Sequence, residues 1–120
     1  MNIKTHHING QKIAEIITDE IILKNTEDGL DLLGNLSYQG FDKIIIHQKN
    51  IIPAFFDLKT KIAGDILQKF TQYQMPLLII GDFSTFNSKS LNDFIYESNK
   101  GKHVNFVTSQ LEALKILSDQ

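Results

Sequence analysis

The residues of this chain with the most chemistry in them stand just after its short apolar runs. His47 closes Lys43-Ile44-Ile45-Ile46, Asp82 follows Leu77-Leu78-Ile79-Ile80-Gly81, and Thr108 follows Val104-Asn105-Phe106-Val107. In open α/β sheets, ligands bind outside the carboxyl ends of the strands. His47, Asn50, Asp82, Ser84 and Thr108 are therefore expected to line one crevice. An imidazole beside a carboxylate there would make a general-base pair or part of a metal site. The plainer reading, that polar residues simply terminate strands, is favoured, because one His with one carboxylate is a weak pattern. No catalytic residue and no metal ligand is assigned on this basis. His6 and His7 are adjacent in a strand pattern and point to opposite faces, so they do not chelate together. His103, before the last apolar run, reads as a surface residue.

Composition removes other chemistries. All 12 basic residues are Lys, and the chain of 120 residues has no Arg and no Cys. It therefore lacks the guanidinium fork that grips phosphate and guanine, as well as disulfides, thiolate nucleophiles and zinc-thiolate sites. A net charge of −2 argues against a polyanion binder, so neither nucleic acid nor an anionic membrane is an expected partner. No Gly-x-x-x-x-Gly-Lys, Gly-x-Gly-x-x-Gly or Gly-x-Ser-x-Gly pattern is present, and no cofactor is expected. With no apolar run of membrane length and no signal-peptide pattern at the start, the expected location is cytoplasmic.

The elements that position these residues follow from periodicity. Ile3–Ile8 and Lys12–Ile17 flank Asn9-Gly10, the strongest short hairpin signal. Thr26 caps a helix with Glu27 and Asp28 in its first turn and Gly40 at its end. Lys43–His47 is a buried strand. Pro53 opens a long helix in which Phe55, Leu58, Ile62, Ile66, Phe70 and Tyr73 fall three or four apart, roughly 20 residues spanning about 30 Å. Asp57, Lys61, Asp65 and Lys69 run along its solvated side. Leu77–Ile80 is the next strand, a loop Phe83–Asn87 follows, and Ser88–Ser98 is a helix closed by Asn99-Lys100-Gly101. Val104–Val107 is the last strand, and Ser109-x-x-Glu112 is a capping box for a final helix. The order is ββ-α-β-α-β-α-β-α over residues 1–120 as one domain: a mostly parallel sheet with an N-terminal β-hairpin.

Several of these runs carry a resemblance. Phe55-Phe56-Asp57-Leu58-Lys59-Thr60-Lys61-Ile62-Ala63-Gly64 resembles a bacterial family of domains of unknown function, numbered 4180. So do Gly81-Asp82-Phe83-Ser84, Ser88-Lys89-Ser90-Leu91 and Asp93-Phe94-Ile95-Tyr96-Glu97-Ser98-Asn99-Lys100-Gly101. The family implies no activity. Phe106-Val107-x-x-x-x-Glu112-Ala113-Leu114 and the element order are similar to the STAS fold of sulfate transporters and anti-sigma-factor antagonists. Antagonists of that fold carry a phosphorylated Ser after the central strand. The matching stretch here, Phe56-Asp57-Leu58-Lys59, has no hydroxyl; Thr60 is the nearest. The resemblance thus implies a STAS-like fold without the phosphoswitch.

Two functions remain in view. The first is a non-catalytic regulatory or protein-binding module. Two adjacent aromatics cannot both face the core from one α-helix, so Phe56, with Asp57, Phe83 and Phe86, is expected to form a partner surface. Its partner would be another protein or a second copy of the chain. The second is a small-ligand or metal-binding protein, or an enzyme, using the crevice at His47 and Asp82.

Overall fold

A computed structural model describes residues 1–119. Five strands form one sheet in chain order: β1 (Asn2–Ile8), β2 (Gln11–Ile17), β3 (Lys43–His47), β4 (Leu77–Ile80) and β5 (Val104–Val107). β1 and β2 are antiparallel, and the other three pairings are parallel. Asn9 and Gly10 make the hairpin turn with φ of 52° and 78°, the positive values that a two-residue hairpin of this twist requires. The helices are α1 (Thr26–Tyr38), α2 (Ile62–Gln72), α3 (Lys89–Ser98) and α4 (Gln110–Ser118).

The side-chain period of a strand divides the core in two. Ala14, Ile16, Ile44, Ile46, Leu77, Ile79, Val104 and Phe106 face α1, α2 and α3. Ile13, Ile45, Leu78, Ile80 and Val107 face the other way, toward Ala113 and Leu117 of α4. Strand order that follows chain order puts all three crossovers on one face when each has the same hand. That leaves the other face to α4 and to any polar groups it can satisfy.

Local signals act largely where expected. Asn25, one residue before Thr26, is the cap of α1, and its Oδ1 accepts from Asp28 N–H at 2.8 Å. Ser88 caps α3 and Ser109 caps α4, the latter accepting from Glu112 N–H at 3.1 Å. Gly101 does not adopt the left-handed conformation; α3 ends at Ser98 with Asn99 as its C-cap. Asn99 then turns to the open edge of β5, where its Oδ1 accepts from Phe106 N–H at 2.7 Å and its Nδ2 donates to Phe106 C=O at 3.1 Å. One side chain thus blocks that edge against pairing with another strand.

The long helix expected from Pro53 onward is the main correction. The segment makes two 3-10 turns, Pro53–Phe56 and Leu58–Thr60, before α2 begins at Ile62. Asp57 caps the second turn, and Thr60 Oγ1 donates to the carbonyls of Ala54 and Asp57, each at 2.8 Å. Lys61 then takes a left-handed φ of 65°. These local side-chain bonds compete with helical continuation and override a periodicity that fits a single helix.

Candidate functional site

The strand ends do meet at a cleft. Three polar segments leave the sheet at the carboxyl ends of β3, β4 and β5; the first two tighten at once into 3-10 turns, and the third leads into α4. After β3 comes the 3-10 turn Gln48–Asn50. Asn50 is fully buried; its Nδ2 donates to the carbonyls of Thr18 (2.8 Å) and Glu20 (3.0 Å), and its Oδ1 accepts from His47 N–H at 3.3 Å. Asn50 C=O in turn accepts from Ile22 N–H (2.8 Å) and Leu23 N–H (3.1 Å). This one residue straps the segment after β2 to the segment after β3, and the strap carries Ile21 to the rim.

After β4, Gly81 and Asp82 lead into the 3-10 turn Phe83–Phe86. The Asp82 carboxylate accepts from Ser84 N–H (3.2 Å) and Ser84 Oγ (2.6 Å) through one oxygen, Oδ1. Asp82 N–H donates to Gln48 Oε1 at 3.0 Å, joining the β3 and β4 turns. After β5, Thr108 donates through N–H and Oγ1 to Glu112 Oε2 at 3.0 and 2.8 Å. The cleft is open to solvent and has a volume of about 900 Å³, within the range of small-molecule sites. His47, Gln48, Lys49, Asp82, Thr85 and Thr108 supply its polar lining, and Ile21, Ile51, Pro53, Phe56, Ile80 and Phe86 its apolar lining.

His47, Asp82 and Thr108 therefore share one cleft. Asn50 lies beneath it as a buried strut, and Ser84 fixes Asp82 from outside. His47 and Asp82 are not partnered with each other. The His47 ring turns to the sheet face opposite α1–α3, where Nε2 donates to Glu15 Oε2 at 2.9 Å. His6 Nε2 donates to Glu15 Oε1 at 2.9 Å, and Gln110 Nε2 donates to the same oxygen at 2.6 Å. Glu15 is only 2% exposed. Burial pushes its carboxyl pKa up, but the hydrogen bonds from His6, His47 and Gln110 outweigh that and hold it below the ordinary carboxylate value. The carboxylate is therefore ionised and accepts only, so both imidazoles carry their proton on Nε2 when neutral.

This quartet joins β1, β2, β3 and the first turn of α4. Glu15 was not singled out in the sequence, although a signal exists. In strand β2 it stands two residues after Ile13, and so on a buried face, where an acid needs partners. Gln110 carries no comparable signal, since only the docking of α4 brings it within reach. His7, on the other face of β1, is exposed. Each imidazole addresses a different carboxylate oxygen, and among the described residues no group of three His, Asp or Glu side chains converges to hold a metal ion.

Of the partner surface expected from Phe56, Asp57, Phe83 and Phe86, Phe56 and Phe83 are core residues and not surface. Phe56 is 3% exposed and Phe83 is 8% exposed. Phe56 stacks on half-buried Phe86 at 4.8 Å between ring centres, and Phe83 meets Phe106 edge-on at 5.3 Å. The reason is tertiary packing: Phe83 and Phe86 of the turn after β4 lie against Phe56, so adjacent Phe55 and Phe56 are both buried. Only Asp57 stays exposed, as a cap for Lys59 N–H.

No curated protein and no solved structure matches the chain. The family model described as "Domain of unknown function (DUF4180)" matches residues 8–117. The match runs from the end of β1 almost to the end of α4, so it takes in the whole cleft together with Glu15, His47 and Gln110, and leaves His6 just outside. The chain belongs to the DUF4180 family.

Proposed function

We propose that this domain binds a small molecule in the cleft at the carboxyl ends of β3, β4 and β5. The supporting observation is the cleft itself: about 900 Å³, apolar over part of its lining, with polar groups from three strand ends lining it. The role we infer is binding: His47 has Nε2 committed to Glu15 and is not partnered with Asp82, so the two do not form an acid–base pair across the cleft. The test is a thermal-shift screen of metabolites against the wild type and a cleft-filling Thr85→Trp variant. A true ligand at a hundredfold excess over its Kd stabilises the wild type by about 2.7 kcal/mol and leaves the variant unmoved. Equal shifts in both proteins would place the ligand elsewhere.

A second reading is a STAS-like regulatory module of a bacterial, cytoplasmic protein, acting through a protein partner or a second copy. The antiparallel opening strands and the closing β5–α4 unit favour it. The stretch resembling the antagonist phosphosite is folded into the 3-10 turns, and Thr60, its nearest hydroxyl, already donates to two carbonyls. A partner would therefore recognise a fixed surface rather than a phosphorylation state. Light scattering and pull-down with the exposed α4 residue Leu111 changed to Lys test this reading. Unchanged mass and unchanged capture would remove the α4 surface from it.

A further inference from the structure

We propose that the ligand of this cleft is a flat, uncharged molecule with a cyclic-amide edge, a C=O beside an N–H, read by Gln48 and Asp82. The proposal rests on the binding role inferred above. It follows from which polar groups in the cleft remain uncommitted. The His47 ring is held by Glu15, and Lys49 Nζ sits 3.0 Å from Asp19. Thr85 Oγ1 donates to Asp82 C=O at 3.2 Å, and Thr108 is taken up by Glu112. Two groups have no bond to another described residue: the NH2 of Gln48 and the second oxygen of Asp82.

Both groups are held in place. Gln48 Oε1 accepts from Asp82 N–H at 3.0 Å, so the orientation of its amide is dictated; a flipped amide would set donor against donor. Its NH2 is therefore the outward end. Gly81 makes the pose available. A Cβ there would collide with Gln48 Oε1 and lie 2.7 Å from Gln48 Cβ. The Asp82 carboxylate is anchored through Oδ1 to Ser84, leaving Oδ2 as an acceptor. One backbone hydrogen bond thus couples a positioned donor to a positioned acceptor, the complement of a C=O and an adjacent N–H.

Charge and shape narrow the class. Asp82 opposes an anion, and the Gln48 NH2 calls for an acceptor that a simple cation lacks, so a neutral ligand carrying both a C=O and an N–H fits best. Half-buried Phe86, backed by the Phe56 ring, lines the same cleft, as do Pro53 and Ile21. A planar body lies against such a wall with little loss of conformational entropy.

Amide-proton NMR titration of the full chain with four probes tests this: oxindole, N-methyloxindole, indole and benzoate. Oxindole is expected to move the Gly81 and Asp82 amide signals. N-methyloxindole lacks the donor, indole lacks the acceptor, and benzoate is an anion; each is expected to bind about tenfold more weakly or worse. Gln48→Glu keeps the acceptor for Asp82 N–H but removes the NH2, and should weaken oxindole by about tenfold. Asp82→Asn, at an exposed position, should do the same and serves if the Gln48 variant is misfolded. Indole or benzoate moving the same amides as strongly as oxindole, or unchanged oxindole affinity in the variants, overturns the ligand class and leaves the cleft as a binding site. No probe moving any cleft amide overturns the ligand class and the binding role together.

Discussion

Glu15 shows how a single buried charge is made tolerable. An ionised carboxylate in a sheet core is costly unless both its oxygens find donors. Three side chains from three elements do this here. Glu15→Ala would strand two imidazoles and an amide, and should cost about 3 to 5 kcal/mol in urea unfolding. Glu15→Gln should cost less, about 1 to 3 kcal/mol, because one imidazole can switch tautomer to meet the new NH2. The pH dependence has a definite sign. The folded carboxyl pKa lies below the ordinary carboxylate value of 4.5, so its contribution is complete above that value and is lost as pH falls through the lowered one. Wild-type stability should therefore fall in acid more steeply than that of Glu15→Gln. Parallel slopes for the two proteins below pH 4.5 would mean that Glu15 is not the responsible group. Gly81 belongs to the same scale. Gly81→Ala should displace Gln48 and cost about 1 to 3 kcal/mol, read by the same unfolding curves.

Among the elements, the turns carry more of the specificity than the helices. Asn50 alone satisfies the Thr18 and Glu20 carbonyls and the His47 N–H. Asn50→Ala should cost about 3 kcal/mol or more, since buried backbone groups lose their partners. The loss should be accompanied by increased amide exchange over residues 18–23, the strap that Asn50 holds. Ser109→Ala removes the cap of α4 and should cost only about 1 kcal/mol. If the two variants proved equally destabilised, the strap would not be the special feature described here. These turns were only half legible in the sequence. Pro53, Asp57 and Thr60 are each turn-compatible, yet the spacing of Phe55, Leu58 and Ile62 also fits a helix. Periodicity records which residues are apolar, and the choice between 3-10 and α hydrogen bonding was made by Thr60 Oγ1 reaching back to Ala54 and Asp57.

For the whole molecule, the sheet is the stable body, and the cleft lies at the carboxyl ends of three of its strands. β3 and β4 are paired on both sides and covered on both faces. β1 lies at an edge with most of its residues exposed. Native-state hydrogen exchange should be slowest in Ile44–Ile46 and Leu77–Ile79, and fastest among strand residues in β1. Protection of β1 equal to that of β3 in dilute solution would point instead to an interface covering that edge.

The sequence by itself determined the strands, the hairpin at Asn9-Gly10, the helix caps at Ser88 and Ser109, and the gathering of His47, Asp82 and Thr108 at one end of the sheet. These are local or periodic properties, written in neighbouring residues. It also determined which chemistries are absent, since no fold can supply a thiolate or a guanidinium that the chain lacks. Only the tertiary structure decided that His47 turns to Glu15 and not to Asp82, that Phe56 and Phe83 are core, and that Gln48 and Asp82 are joined. Each of those outcomes depends on which residues from distant segments compete for the same donor, acceptor or apolar space. That competition is settled only when β2, β3, β4 and α4 are packed together.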